Sequence, residues 1–343
     1  MQTKRYTVGV PELDTQAESL ARSLGDGENA DLIREIIVTA LKLAGDEANR
    51  GDLKIINAAL KELRYAFKVF SRYRGIRKVS IFGSARIQKN DRDYQQAVQF
   101  ARAIAAQGWM VITGGGSGIM EAGHEGAGRD RSFGVNIRLP WEQAANPVIE
   151  RDRKLILFKY FFARKLTFLK ESDAVLLCPG GFGTLDEGYE SLTLIQTGKG
   201  KPMPLVFLDR PRGTYWKTWK RYVEDHLLRR GLISAEDMSL FKVTDDAEEA
   251  GEEVTNFYRN YHSMRFVKDL LVIRVQRPPT GTTLARLNRE FRDIVSKFEI
   301  TAGGPLAGEE DEPELANLPR LSFYFDKTRW GRLRQLIDEL NRE

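Results

Sequence analysis

Residues 174–190 read AVLLCPGGFGTLDEGYE. An apolar run reaches Pro179, which cannot donate a ladder hydrogen bond, so a strand beginning at Ala174 ends there. Gly180, Gly181 and Gly183 supply a tight turn, and Thr184 opens a helix behind it. That helix carries Asp186, Glu187 and Glu190, the last on the same face as Glu187. Thr184 with Glu187 three residues later fits a capping box, which requires no chemistry. The amides at the start of such a helix equally suit an anion.

The same unit recurs on both sides. The apolar runs KVSIFGSAR (78–86), WMVITGGGSG (109–118), SFGVNI (132–137) and PLVFLD (204–209) each end in a glycine or a turn. Helical patterns lie between them, among them YQQAVQFARAIAAQG (94–108) and LILFKYFFARKLTFLKES (155–172). Strands alternating with helices of this length predict a Rossmann-like, doubly wound α/β fold with a parallel sheet. Ligands of such sheets sit beyond the carboxyl ends of the strands, where these glycines cluster.

Before this region, 29–51 and 52–73 show apolar residues at three-to-four spacing and predict amphipathic helices. After it, DLLVIRVQ (269–276) and RLSFYFD (320–326) predict strands, and TLARLNREFRDIVSKF (283–298) and TRWGRLRQLIDELN (328–341) predict helices. The stretch between 301 and 319 reads as a loop with a short strand at its start, and its acids from Glu309 to Glu314 read as solvated. The expected organisation is a helical region over 1–76, the Rossmann-like domain over 77–262, and over 263–343 a small α+β domain of ferredoxin-like or regulatory type.

Composition narrows the function classes. Lysine and arginine number 53 against 48 acids along the whole chain, which argues against a nucleic-acid-binding patch but suits a phosphate-bearing small molecule. No apolar run approaches the roughly 18 to 20 residues of a membrane span. One cysteine, Cys178, and a polar start predict a cytoplasmic protein. The three histidines, at 124, 226 and 262, are too scattered to suggest a metal site. Trp216 and Trp219 read as helix-packing residues.

The second glycine turn, TGGGSGIMEAGHEGAG (113–128), resembles a phosphate or dinucleotide loop. It is not the Rossmann fingerprint, because the next strand ends in Asn136 and Arg138 where a ribose-binding acid would stand. Within 155–172, Phe158, Phe162, Leu166 and Leu169 form one predicted stripe and Leu157, Tyr160 and Phe168 the opposite one. Arg164 falls in the middle of the second, where it either snorkels outward or meets an anion. Lys165, at the edge of the first, reads as packing its stem and reaching solvent.

Four of these stretches together carry a family resemblance. PGGFGTLDE (179–187), GGGSGIMEAGHEGA (114–127), IFGSAR (81–86) and ARK (163–165), in the right order along the chain, together resemble the motifs of the LOG ("lonely guy") family of phosphoribohydrolases, formerly labelled lysine decarboxylases. The resemblance covers about residues 77 to 260 and is nearest to the longer bacterial nucleotide 5′-monophosphate nucleosidases. It implies hydrolysis of the N-glycosidic bond of a nucleoside 5′-monophosphate, with Arg164 and Glu187 as the catalytic pair and no cofactor. It also implies a homodimer or larger homo-oligomer with pockets near the subunit interface. A pyridoxal phosphate enzyme would need a Schiff-base lysine and a partner for the ring nitrogen, and nothing marks either.

The expected contacts follow the motifs. Glu187 suits stabilisation of an oxocarbenium-like state and positioning of water. Arg164 would hold the phosphate or polarise the departing base. Gly180, Gly181, Gly183 and Thr184 would cradle the 5′-phosphate. Gly115, Gly116, Ser117 and Gly118 would approach the nucleotide from the neighbouring strand end, with Glu121 toward the ribose hydroxyls. Gly83 and Ser84 would border the pocket, and Lys165 and Glu190 complete the expected set. The second functional class is a non-hydrolytic nucleotide- or cofactor-binding regulator on the same fold.

Overall fold

The computed structural model describes residues 6–23, 29–139 and 144–342. Two compact units divide the chain, residues 1–64 and 65–343. In the first, α1 (Pro11–Arg22) and α2 (Ala30–Gly45) precede the long α3 (Arg50–Phe70), which runs on into the second unit. Leu32, Ile33, Ile36, Leu53, Ile56 and Leu60 remain exposed on these helices.

The second unit opens with β1 (Lys78–Phe82), α4 (Arg92–Ala106), β2 (Met110–Thr113), α5 (Ile119–Ala127) and β3 (Ser132–Ile137). It continues with β4 (Leu155–Phe158), α6 (Phe161–Glu171), β5 (Ala174–Leu177), α7 (Phe182–Gln196) and β6 (Leu205–Leu208). α8 (Tyr215–Tyr222), β7 (Lys242–Thr244) and α9 (Ala247–Asn256) complete the α/β part. Its seven strands are all parallel, in the order β4-β3-β2-β1-β5-β6-β7. The chain winds outward from β1 to β4 and then returns beside β1 with β5. The topological switch therefore lies between β1 and β5, and beyond the carboxyl ends of such a pair is where open α/β sheets bind their ligands. Because helices cover both faces, β1, β2, β3, β5 and β6 are buried at every position.

The predicted helix over 155–172 is a strand followed by a helix. Leu155–Phe158 pairs with β3 at the sheet edge, and burial there alternates: Ile156 and Phe158 are inside and Leu157 is exposed. The helix starts only at Phe161, which dissolves the predicted two stripes. Ala163, Thr167 and Phe168 face inward, while Phe161, Phe162 and Leu166 are about half exposed. The three-residue β7 was too short to leave a periodic signal.

The last part is an antiparallel sheet in the order β10-β11-β9-β8. It is built from β8 (Tyr261–Val267), β9 (Leu270–Val275), α10 (Gly281–Glu290), β10 (Val295–Gly303), β11 (Arg320–Phe325) and α11 (Trp330–Asn341). The sequence reading missed β8, whose alternation is interrupted by polar residues, and it carried α10 across the first half of β10. The acids at 309–314 do not all stay in solvent. Glu309 is buried, and its carboxylate accepts hydrogen bonds from Arg274 Nη2 (2.6 Å) and Arg320 Nε (3.3 Å). Glu312 accepts from Arg274 and Arg265, at 2.6 and 2.7 Å. Two buried guanidiniums on neighbouring strands need these carboxylates, since an unpaired buried charge costs several kcal/mol.

Candidate active site at the sheet switch point

Three turns meet beyond the carboxyl ends of β1, β2 and β5. The first holds Gly83 and Ser84, and the Ser84 amide donates to Pro179 O at 3.1 Å. The Ser84 carbonyl accepts from the Ile119 amide at 3.1 Å, and Ser117 Oγ donates to Ala85 O at 2.9 Å. Ser84 thus bridges the other two turns. The β5 turn is drawn tight, since a Cβ on Gly180 would lie 2.1 Å from Thr184 Oγ1, a distance no side chain tolerates. Tyr215 of α8, unremarked in the sequence reading, donates its hydroxyl to Gly180 O at 2.5 Å and ties this turn down.

α7 begins earlier than predicted. Its N-cap is Gly181, Thr184 lies inside the first turn, and no side chain caps the helix. The capping-box reading of Thr184 and Glu187 is therefore overturned. Thr184 and Leu185 direct their amides to Gly181 O, at 3.1 and 3.2 Å. Among the described residues, the amides of Phe182 and Gly183 have no such partner, and neither do those of Gly116, Ser117 and Gly118. Two glycine turns, one on each side of Ser84, leave backbone donors for an anion.

Glu187 lies one turn inside α7. It is 6% exposed, and its buried Oε2 has no hydrogen-bond partner. Burial pushes its pKa up to about 7, although Lys165 and Arg164 pull it down. Lys165 does not reach solvent as the sequence suggested. Its ammonium sits among three carboxylates, 3.0 Å from Asp186 and 3.7 Å from Glu187, and it donates a short hydrogen bond to Glu190. Burial depresses the Lys165 pKa, but Glu190 and Asp186 outweigh it and the net shift is upward.

Arg164 does not snorkel. Its Nε donates to Val135 O at 2.9 Å, its guanidinium lies 5.2 Å from the Phe168 ring centre, and a Cβ on Gly114 would sit 2.6 Å from Nη2. Burial lowers its pKa while the Glu187 charge raises it. The structure thus gathers Gly83, Ser84, the 115–118 and 180–184 turns, Arg164, Lys165, Glu187 and Glu190 around one switch point. Glu121 is drawn to Lys89 at 2.8 Å. Trp216 and Trp219 pack on Phe207, with ring centres at 4.6 and 4.4 Å, as helix-packing residues do.

A buried acid near neutrality, an adjacent cation and two amide-lined turns can hold a phosphorylated ligand while a carboxylate takes or gives a proton. Among the described residues, no group of histidine, cysteine or acidic side chains could hold a metal ion, and no helix is long and apolar enough to cross a membrane.

Residues 114–254 match the family model described as possible lysine decarboxylase. A cytokinin riboside 5′-monophosphate phosphoribohydrolase of Mycobacterium tuberculosis (strain ATCC 25618 / H37Rv) is 29% identical over 158 residues, covering 45% of this chain and 81% of that protein. A probable enzyme of the same description from Oryza sativa subsp. japonica is 28% identical over 182 residues, covering 51% and 82%. Among solved structures, the molybdenum cofactor binding protein of Rippkaea orientalis is 21% identical with a TM-score of 0.38, over 52% of this chain and 94% of that one. DNA processing protein A of Streptococcus pneumoniae is 10% identical with a TM-score of 0.38, over 74% and 98%.

Proposed function

We propose that the chain, through its α/β domain, acts as a phosphoribohydrolase of the LOG type and hydrolyses the N-glycosidic bond of a nucleoside 5′-monophosphate to free base and ribose 5-phosphate, a reading supported by the relatives it resembles over that domain. The observation that carries this reading is Glu187, a buried carboxylate whose Oε2 accepts no hydrogen bond and lies 3.7 Å from the Lys165 ammonium, with a pKa of about 7, set beside Arg164 at the mouth of two amide-lined turns. The 5′-phosphate lies on the free amides of Phe182 and Gly183, at the positive end of α7. The C1′–N bond breaks with its electron pair passing to the base nitrogen, leaving positive charge on the ribose. The ionised Glu187 stabilises that charge and accepts a proton from the water that attacks C1′. The proton balance closes when the base takes up one proton. Arg164 supplies fixed positive charge on the same side, where it costs no reorganisation.

Incubation with AMP, GMP, CMP, UMP and isopentenyl-AMP, with free base read by chromatography, is expected to release base from at least one. No base from any of them sinks the hydrolase reading and leaves a nucleotide binder.

The same reading includes a homodimer. α6 and α7, tied together through Lys165, leave Phe161, Phe162 and Leu166 about half exposed and Phe182 93% exposed at the rim of the site. Such neighbouring apolar side chains are costly in water and suit a second copy of the chain. Replacing both Phe162 and Leu166 with Glu is expected to convert a dimer to monomer in sedimentation velocity. A wild-type monomer, or a double variant that stays dimeric, removes this assignment.

A further inference from the structure

The buried pair His124 and Asn146 carries an inference beyond the motif residues, and it rests on the site assigned above. His124 on α5 is fully buried. Burial holds its imidazole below the usual range, so the ring is neutral and one nitrogen must accept. Nε2 lies 2.9 Å from Phe133 O, which can only accept, so Nε2 carries the hydrogen and Nδ1 is bare. The amide of Asn146, 3.1 Å away, donates to that bare nitrogen and also to Gly116 O at 2.9 Å. Its Oδ1 then accepts from the Ile149 amide at 3.3 Å, which fixes the orientation of the side chain. The backbone N–H of Asn146 donates to Gly115 O at 2.8 Å.

One residue therefore holds two consecutive carbonyls of the glycine turn. In a planar trans peptide the C=O and the following N–H point in opposite directions. Drawing Gly115 O and Gly116 O toward Asn146 turns the amides of Gly116 and Ser117 away from it, and neither amide has a partner among the described residues. We propose that Asn146, oriented by neutral His124, is a positioning residue that aims the Gly116 and Ser117 amides at the sugar phosphate of the bound ligand. Neither residue touches the ligand in this arrangement.

The test uses the full chain and ribose 5-phosphate as the probe, with binding read by calorimetry so that no turnover is needed. Asn146→Ala keeps the backbone bond to Gly115 O but removes the hold on Gly116 O, and is expected to weaken binding by about 10- to 100-fold, the loss of one well-aimed donor to an anion. His124→Phe, which removes the acceptor behind Asn146, is expected to lose about 10-fold, and His124→Gln, which restores an acceptor, to recover most of it. In turnover the loss falls on KM with kcat nearly unchanged, which separates positioning from general destabilisation; melting curves confirm that each variant is folded. Backbone amide exchange over 114–118 is expected to quicken in Asn146→Ala. If both Asn146→Ala and His124→Phe bind the probe as wild type does, the proposal is overturned while the hydrolase reading stands. If wild type binds the probe, releases no base from any nucleotide, and Asn146→Ala loses binding, the hydrolase reading fails and the positioning role survives. A wild type that does not bind ribose 5-phosphate overturns the positioning role as well.

Discussion

Glu187→Gln is expected to lower kcat by about 10²- to 10⁴-fold, the range for a positioned acid or base, while the protein melts at pH 8 no lower than wild type. The second half of that result follows from the direction of the pKa shift. The Glu187 carboxyl is raised from its ordinary 4.5 to about 7 in the folded chain, chiefly by burial. Between those values the folded state holds its proton while the unfolded state has released it, so folding stability falls as pH rises through the interval. Whatever the neutral acid contributes is fully present below about pH 4.5 and lost above about pH 7, on the order of 3 kcal/mol for a shift of this size. Glutamine stays neutral throughout and avoids that loss. Its gain at pH 8 is offset in part by an amide whose buried end has no partner. A capping role would have predicted retained turnover, because Gln serves a capping box about as well as Glu, and no side chain caps α7. The pH profile gives a second readout: kcat/KM is expected to rise through an inflexion near 7 and level off above it as the carboxylate forms. A flat wild-type profile between pH 5 and 8, or a Gln variant with more than about a tenth of wild-type turnover, places the reacting group elsewhere.

The parallel sheet was legible because β2, β5 and β6 are short, almost wholly apolar runs bounded by glycine or proline and alternating with helical segments, the pattern of strands buried on both faces. The edges were not legible. β4 is half exposed and joins α6 through only Lys159 and Tyr160, so its four residues extended a helical periodicity that was real from Phe161 onward. The same happened at β10, where Val295 follows α10 without a breaker and tertiary pairing with β11 decides the conformation. At the site, the backbone donors could be placed from the glycines, because a turn's purpose shows in its composition. The environment of Lys165 could not, since its three carboxylates come from a helix some twenty residues away, and the sequence shows only that acids exist there. Asn146 and Tyr215 were invisible for a related reason. Each acts on backbone carbonyls of a glycine turn remote in sequence, and such contacts leave no spacing rule behind.

Arg164→Ala is expected to cost about 10²- to 10³-fold in kcat/KM, the usual loss for a fixed charge-stabilising donor, and to move the Glu187 inflexion upward from about 7. The two effects have one source. Arg164 is among the charges that hold the Glu187 carboxyl down, so its removal leaves burial less opposed and the carboxylate harder to form. The loss is therefore largest at pH 6 and shrinks at pH 9, where the carboxylate forms even without its neighbour. Stability changes little, because the guanidinium is itself desolvated and its only hydrogen-bond partner among the described residues is the Val135 carbonyl. Arg164→Lys keeps the charge but loses the planar fork that can serve Val135 O and the ligand together, so it recovers the inflexion more fully than the rate. The split between constants assigns the ligand contact. A rise in KM that disappears for the nucleoside lacking a phosphate places Arg164 on the phosphate, whereas a fall in kcat retained with both substrates places it at the departing base. An inflexion that stays at wild-type pH in Arg164→Ala would show that Arg164 and Glu187 do not share one field, and the paired assignment would fall.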